Sequence, residues 1–158
     1  MINAQILRAT LKEIFGVEDK YLVPISTNWF LPTTDSEDKV GTWIGYRIID
    51  TRPYVRAYMG LNGRNRNLIH KPIKVSFRLT FVGPQAEELA DQTLLWEDRG
   101  DVSDAFAKSN TQINYSDRTS FTYPVRNGGY NDDLAWIVDM QCQTEYIVDT
   151  GQEPWIIN

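Results

Sequence analysis

The 158-residue chain holds one cysteine and one histidine, and each scarcity closes off a class of chemistry. With Cys142 alone, no intramolecular disulfide can form, and neither a CxxC pair nor a Cys/His zinc pattern can be written. A reducing folding compartment is the default that follows. No apolar run approaches the roughly 18 residues of a membrane span, and the opening "MINAQILRATLKEIFG" is too polar for a secretory core. The chain is therefore expected to be cytosolic and soluble, with no membrane partner. No GxxxxGK[ST], GxGxxG, GxSxG or HExxH occurs, so phosphate-cradling, dinucleotide, hydrolase-elbow and zinc-protease signatures are all missing. Positive charge is also short: the formal net charge of −5 argues against a dedicated DNA coat, whose affinity would come from Lys and Arg neutralising phosphates.

What is present is ordinary in bulk and rich in rings. Hydrophobic residues make up 42% and charged residues 23%, while aromatics reach 12%, and aromatics beyond the needs of a core often serve interfaces. The length fits one domain, 1–158, which can bury roughly 70% of its unfolded surface. No internal repeat, low-complexity run or Gly/Ser linker divides it.

Periodicity orders the elements. Ile6, Leu7, Thr10, Leu11, Ile14 and Phe15 recur at helical spacing, predicting an amphipathic helix over 3–15 with Asn3 as N-cap and Gly16 as stop. Pro24, Pro32 and an acidic cluster predict extended segments around an exposed loop. "TWIGYRIID" and "PYVRAYMG" read as strands, and "LNGRNRN" as the turn after them. Over residues 73–99, Val75, Phe77, Leu79 and Phe81 alternate with Lys74, Ser76, Arg78 and Thr80, a strand with one wet face. The chain turns at Gly83-Pro84, with Pro84 at the first helical position. A stripe of Ala86, Leu89, Ala90, Thr93 and Leu94 then predicts a helix with Arg99 near its end and Gly100 closing it. "DVSDAFAKS" reads as a second short helix, and "TQINYSD" and "TSFTYPV" as two strands. "LAWIVDMQCQTEYIVD" reads as a long strand hairpinned with 119–125 around "RNGGYNDD", giving a hairpin over 119–147 and a tail over 148–158. The fold class expected is α+β, a mostly antiparallel sheet with helices on one face.

Candidates for chemistry are few. His70, expected at a strand entrance, would need as a general base an orienting carboxylate that the sequence does not place near it. Cys142 lies mid-strand among apolar neighbours, where a free thiol behaves as a small buried hydrophobe. Asp35, Glu37 and Asp38 miss the register of a calcium loop, and Asp132 and Asp133 fit turn chemistry. No catalytic, cofactor-binding or metal site is expected. Residues 52–71 instead gather Arg52, Arg56, Arg64, Arg66 and Lys71 with interleaved tyrosines, a mixture found both on single-stranded nucleic-acid binders and at protein interfaces. The acidic remainder of the chain favours protein contact. Trp29 and Phe30, and Trp155, Ile156 and Ile157 in the tail, are apolar side chains that fold back on their own domain or dock on a neighbour.

The block "VSFRLTFVGPQAEELADQTLLW" resembles tail terminator (neck) proteins of tailed bacteriophages. The likeness rests on a strand ending in an aromatic-x-Gly-Pro turn, followed by a small residue and a Glu-Leu-Ala-like helix: Phe81, Gly83, Pro84, Ala86, Glu88, Leu89 and Ala90. "DTRPYVRAYMG" is similar to the segment leading into an early strand of that family. The resemblance implies a tail-terminator-like α+β fold and a head-tail joining role without an active site. It implies a homo-oligomeric ring, expected to be a hexamer, that caps the tail tube and meets the head connector or stopper and the tail sheath. The virion neck, assembled in the host cytoplasm, would be its location, with genomic DNA only as passing cargo. Another neck component, such as a head-completion protein, or a single-stranded nucleic-acid-binding module is the alternative.

Overall fold

The computed structural model describes residues 2–25, 41–53, 55–61, 67–123 and 133–151. It is an α+β fold: a six-stranded, mostly antiparallel sheet with helices packed against one face. The elements in order are α1 (Ala4–Phe15), β1 (Leu22–Pro24), β2 (Trp43–Pro53), β3 (Tyr58–Leu61), β4 (Asn67–Val82), α2 (Ala86–Thr93), α3 (Gly100–Ala107), β5 (Thr111–Tyr123) and β6 (Asp133–Asp149). Across the sheet the order is β1-β2-β4-β6-β5, with β3 pairing β4 where β2 has ended.

Local chemistry accounts for the first helix. Asn3 Oδ1 accepts from the Ile6 N–H at 2.9 Å, satisfying a donor that lacks a helical partner, and Gly16 ends the helix in the left-handed region at φ 63°. Leu7 and Leu11 are fully buried, and the Arg8 guanidinium donates to the Leu22 carbonyl at 2.7 Å, fixing α1 beside β1. β1 runs parallel to β2, so the sheet is mixed at that edge; three residues in "LVP" carry too little periodicity to be read as a strand.

The central strand follows its sequence pattern closely. Val75, Phe77, Leu79 and Phe81 are each 0% exposed and face the helices, while Lys74, Ser76 and Arg78 remain partly accessible on the other side. β4 is also longer than its pattern suggests and begins at Asn67. That length puts Pro72 inside a central strand, where a missing N–H normally breaks a ladder. On one edge β2 last pairs β4 at Ile73 and β3 first pairs it at His70, leaving Lys71 and Pro72 between the two, while on the other edge Pro72 pairs Glu145 of β6.

Several elements differ from expectation. The helix after Gly83-Pro84 starts at Ala86, leaving Pro84 in the turn, and stops at Thr93. Leu94, which fits the apolar stripe, is 38% exposed. A 3₁₀ turn over Trp96–Asp98 then swings Trp96 into the core against Phe15 and Phe106, with ring centroids 5.5 and 5.8 Å away. Arg99 is the N-cap residue of α3, donating through Nε and Nη2 to Asp101, and Gly100 opens that helix instead of closing the previous one. "TQINYSD" and "TSFTYPV" form one continuous β5, offset by an irregularity between Ile113 and Tyr115. In "PYVRAYMG", Pro53 ends β2 and only Tyr58 onward is strand. β6 continues to Asp149, two residues into the expected tail. The turn at 62–66 and the hairpin tip at 126–132 lie outside the described residues.

The main core fills the space between sheet and helices: Leu7, Leu11, Ile44, Val75, Phe77, Leu79, Phe81, Trp96, Phe106, Val138 and Met140. On the opposite face a small cluster of Trp43, Val82 and Ala135 is covered by Tyr21, Val23 and Ile25.

Candidate interaction surface

Burial along β6 locates the place where the sheet outruns its cover. Val138, Met140, Cys142 and Thr144 are buried in alternation, whereas Tyr146, Ile147 and Val148 are 51%, 40% and 37% exposed. These residues pair with Lys71, His70 and Ile69 of β4, and Ile69 and His70 pair in turn with Met59 and Tyr58 of β3. A three-stranded ribbon thus projects past the helices. Residues paired across strands share a face, so Met59, Ile69 and Val148 line one side of the ribbon, and Tyr58, His70 and Ile147 the other.

The second side carries a polar clasp. The Tyr58 hydroxyl donates to Glu145 Oε1 at 2.8 Å, and His70 Nδ1 lies 3.4 Å from Glu145 Oε2. The Tyr58 and His70 rings stack with centroids 4.8 Å apart and planes within 4°. The Tyr58 hydrogen bond, with a smaller contribution from His70, holds the Glu145 carboxyl below the usual range, and the same bond pushes the Tyr58 phenol up. Gly60 makes room for this stack: a Cβ there would fall 2.9 Å from His70 Nε2. His70 is therefore an interior residue of β4 and not a strand entrance, and a carboxylate stands beside it after all. What the three groups do is lock β3 to β4 and β6.

Other candidates resolve plainly. Cys142 is buried, its Sγ donates to the Val75 carbonyl at 3.4 Å, and burial pushes its thiol up to about 12. It is a packing residue. Arg78 and Asp139 form a bidentate cross-strand pair at 2.7 and 3.0 Å on the sheet's open face. Among the described residues no group of three or more His, Cys, Asp or Glu is arranged to hold a metal ion.

Of the nine candidate interface residues, Arg52 and Arg56 lie in the described structure, and both are exposed. Arg52 Nε contacts Asp50 Oδ2 at 2.8 Å at the end of β2, and Arg56 precedes β3 at the root of the ribbon. Trp29, Phe30, Arg64, Arg66, Trp155, Ile156 and Ile157 lie outside the described residues, as do Asp35, Glu37, Asp38 and Asp132. Sequence reasoning missed the ribbon's apolar side chains Met59, Tyr146, Ile147 and Val148, since an alternating strand reads the same whether or not a helix covers it. It also missed Leu94 and Leu95, 38% and 58% exposed where α2 gives way to the 3₁₀ turn.

No protein-family model and no curated protein matches the chain. Among the described residues no helix is long and apolar enough to cross a membrane.

Proposed function

We propose that this chain is a structural assembly subunit, a tail terminator of a tailed phage. Copies would close into a ring, expected to hold six, on the head-proximal end of the tail tube and join it to the head connector or stopper in the virion neck. The observation that carries the reading is the uncovered ribbon. Met59, Tyr146 and Val148 on one side of the ribbon, and Tyr58 and Ile147 on the other, are exposed at one end of the sheet, and exposed apolar patches mark contact with other macromolecules. A specific contact buries about 800 Å² on each partner, so a subunit with two ring neighbours and an axial partner needs surface of this kind in several places.

The residues behind the sequence resemblance support the reading in a second way. Phe81 is the penultimate residue of β4, Gly83 makes the turn at φ 134°, and Ala86, Leu89 and Ala90 face inward on the helix that follows. They build a stiff corner with no reactive group mounted on it, suited to holding edges and loops in register. Tail sheath contact and passage of genomic DNA through the ring belong to the same proposal.

Light scattering on the purified protein, alone and mixed with isolated tail tubes, tests it. A ring mass and capped tubes of arrested length are expected. A monomer that leaves tube growth unchanged contradicts the reading. A ring that binds the head connector but ignores the tube would assign the chain to a stopper role in the same neck.

A further inference from the structure

The charges of this chain are segregated along the sheet. Residues 52–74 hold six Lys or Arg (Arg52, Arg56, Arg64, Arg66, Lys71, Lys74) and no Asp or Glu, while residues 85–104 hold seven Asp or Glu and only Arg99 against them. Their described parts start from different ends of β4: Arg52 and Arg56 lie at the end of β2 and before β3, and Lys71 and Lys74 in the first half of β4, while α2 and the 3₁₀ turn follow its last residue, and α3 then runs back along the sheet with Phe106 stacked on Phe77. β4 alone has 16 residues, so at about 3.3 Å per residue its two ends stand roughly 50 Å apart.

Exposed apolar side chains follow the same division. Of the nine large hydrophobics exposed among the described residues, eight fall at these two places. Val55, Tyr58, Met59, Tyr146, Ile147 and Val148 sit on or beside the ribbon, and Ile49, at the β2 irregularity opposite Ser76 and Phe77, is the exception. Leu94 and Leu95 sit in the acidic segment, flanked by Asp91, Glu97 and Asp98. Each end thus has exposed apolar side chains with charge around them, the pattern of a polar-rimmed protein contact. The α2 end is rimmed by acidic residues, while the ribbon carries Arg56 and Lys71 beside Glu145, whose carboxylate is engaged by Tyr58 and His70, and Asp149.

We infer that the ribbon of one copy docks on the α2 and 3₁₀-turn surface of a second copy, with Leu94 and Leu95 entering the apolar ribbon and the acidic rim facing Arg56 and Lys71. Both surfaces are exposed within the single chain, so neither covers the other. The contact joins two different surfaces, so it is heterologous and propagates head to tail, closing into a ring when the rotation per subunit allows. This inference rests on the ring reading above and names the surfaces that would build it.

Two paired reversals test it: Arg56→Glu with Lys71→Glu on the ribbon, and Glu97→Lys with Asp98→Lys on the acidic end. All four side chains are exposed, and an unchanged melting transition checks that each variant folds. Assembly is followed by light scattering across protein concentration. Each variant alone brings two like-charged rims together and is expected to need at least about tenfold more protein to assemble than the unmodified chain. An equimolar mixture of the two variants restores opposite charge at every contact and is expected to recover assembly. Variants that assemble as the unmodified chain does, or a mixture that stays dissociated, overturn the inference while leaving a ring built by other surfaces. An unmodified chain that is monomeric throughout overturns both.

Discussion

Two buried side chains show how far single residues constrain the account. Cys142 is enclosed between sheet and helices, and its thiol, pushed up to about 12 by burial, stays protonated at any pH where the protein is handled. A colorimetric disulfide reagent at pH 8 is expected to leave the native protein unmodified and to react with one equivalent once denaturant unfolds it. Rapid modification of the folded chain would show the site to be open. Trp96 is the larger case. It is 1% exposed, and its indole Nε1 is buried with no hydrogen-bond partner. Trp96→Ala is expected to cost about 3–5 kcal/mol by opening a cavity between Phe15 and Phe106. Trp96→Phe keeps a ring in place and removes a buried donor whose desolvation costs about 1–3 kcal/mol, so its net effect is expected below about 1.5 kcal/mol. Urea midpoints of the two variants decide; equal losses would refute the orphan-donor argument. Cys142 was legible because strand alternation fixes its face. Trp96 was not, because a helical stripe carried past Leu94 gives no sign that the helix ends at Thr93 and the chain swings inward.

Corners and clasps between elements are the next scale. Gly83 has φ 134°, and a Cβ there would lie 2.9 Å from Thr42 Cα, where the Gln85 N–H donates to Thr42 Oγ1 at 2.9 Å. Gly83→Ala is therefore expected to destabilise by about 1–3 kcal/mol, read from the shift in denaturation midpoint. An unchanged midpoint would mean the corner is not tight. The clasp of β3 on β4 and β6 is pH-bounded on both sides. The Glu145 carboxyl is depressed in the fold, so its stabilisation holds above the ordinary glutamate value of about 4.3 and is lost as pH falls through the lower folded value. The Tyr58 phenol is raised, so its contribution holds below about 10 and is lost as pH climbs through the higher folded value. Glu145→Gln is expected to flatten the acid side of the profile of melting temperature against pH, and an unaltered acid limb would detach Glu145 from the clasp. Strands and helices with strong periodicity were readable at this scale, including α1 with both caps and the alternation of β4 and β6. Register was not. That Glu145 meets His70 and Tyr58 depends on pairing residues 75 or more apart in sequence, and the merging of two segments into β5 depends on its long partner β6.

For the whole molecule, the decisive feature is that sheet and helices differ in extent. The helices cover one face of the sheet down to Ile73 and Thr144, and beyond that line the ribbon stands bare with basic residues along it. At the other end the acidic α2-to-α3 segment presents Leu94 and Leu95. The charge division is written in the sequence; its meaning depends on the fold, because only the structure shows that the apolar side chains beside each segment stay exposed in the single chain. Ordinary hydrophobic burial explains the interior, and the proposed association with copies of itself would cover the exposed ribbon and Leu94 and Leu95. Native mass spectrometry of the purified chain at tens of micromolar, in low salt, tests this most directly. A closed assembly whose mass is a whole multiple of the 18.2 kDa chain, six for the expected ring, is the predicted result. A single species at the mass of one chain would contradict it.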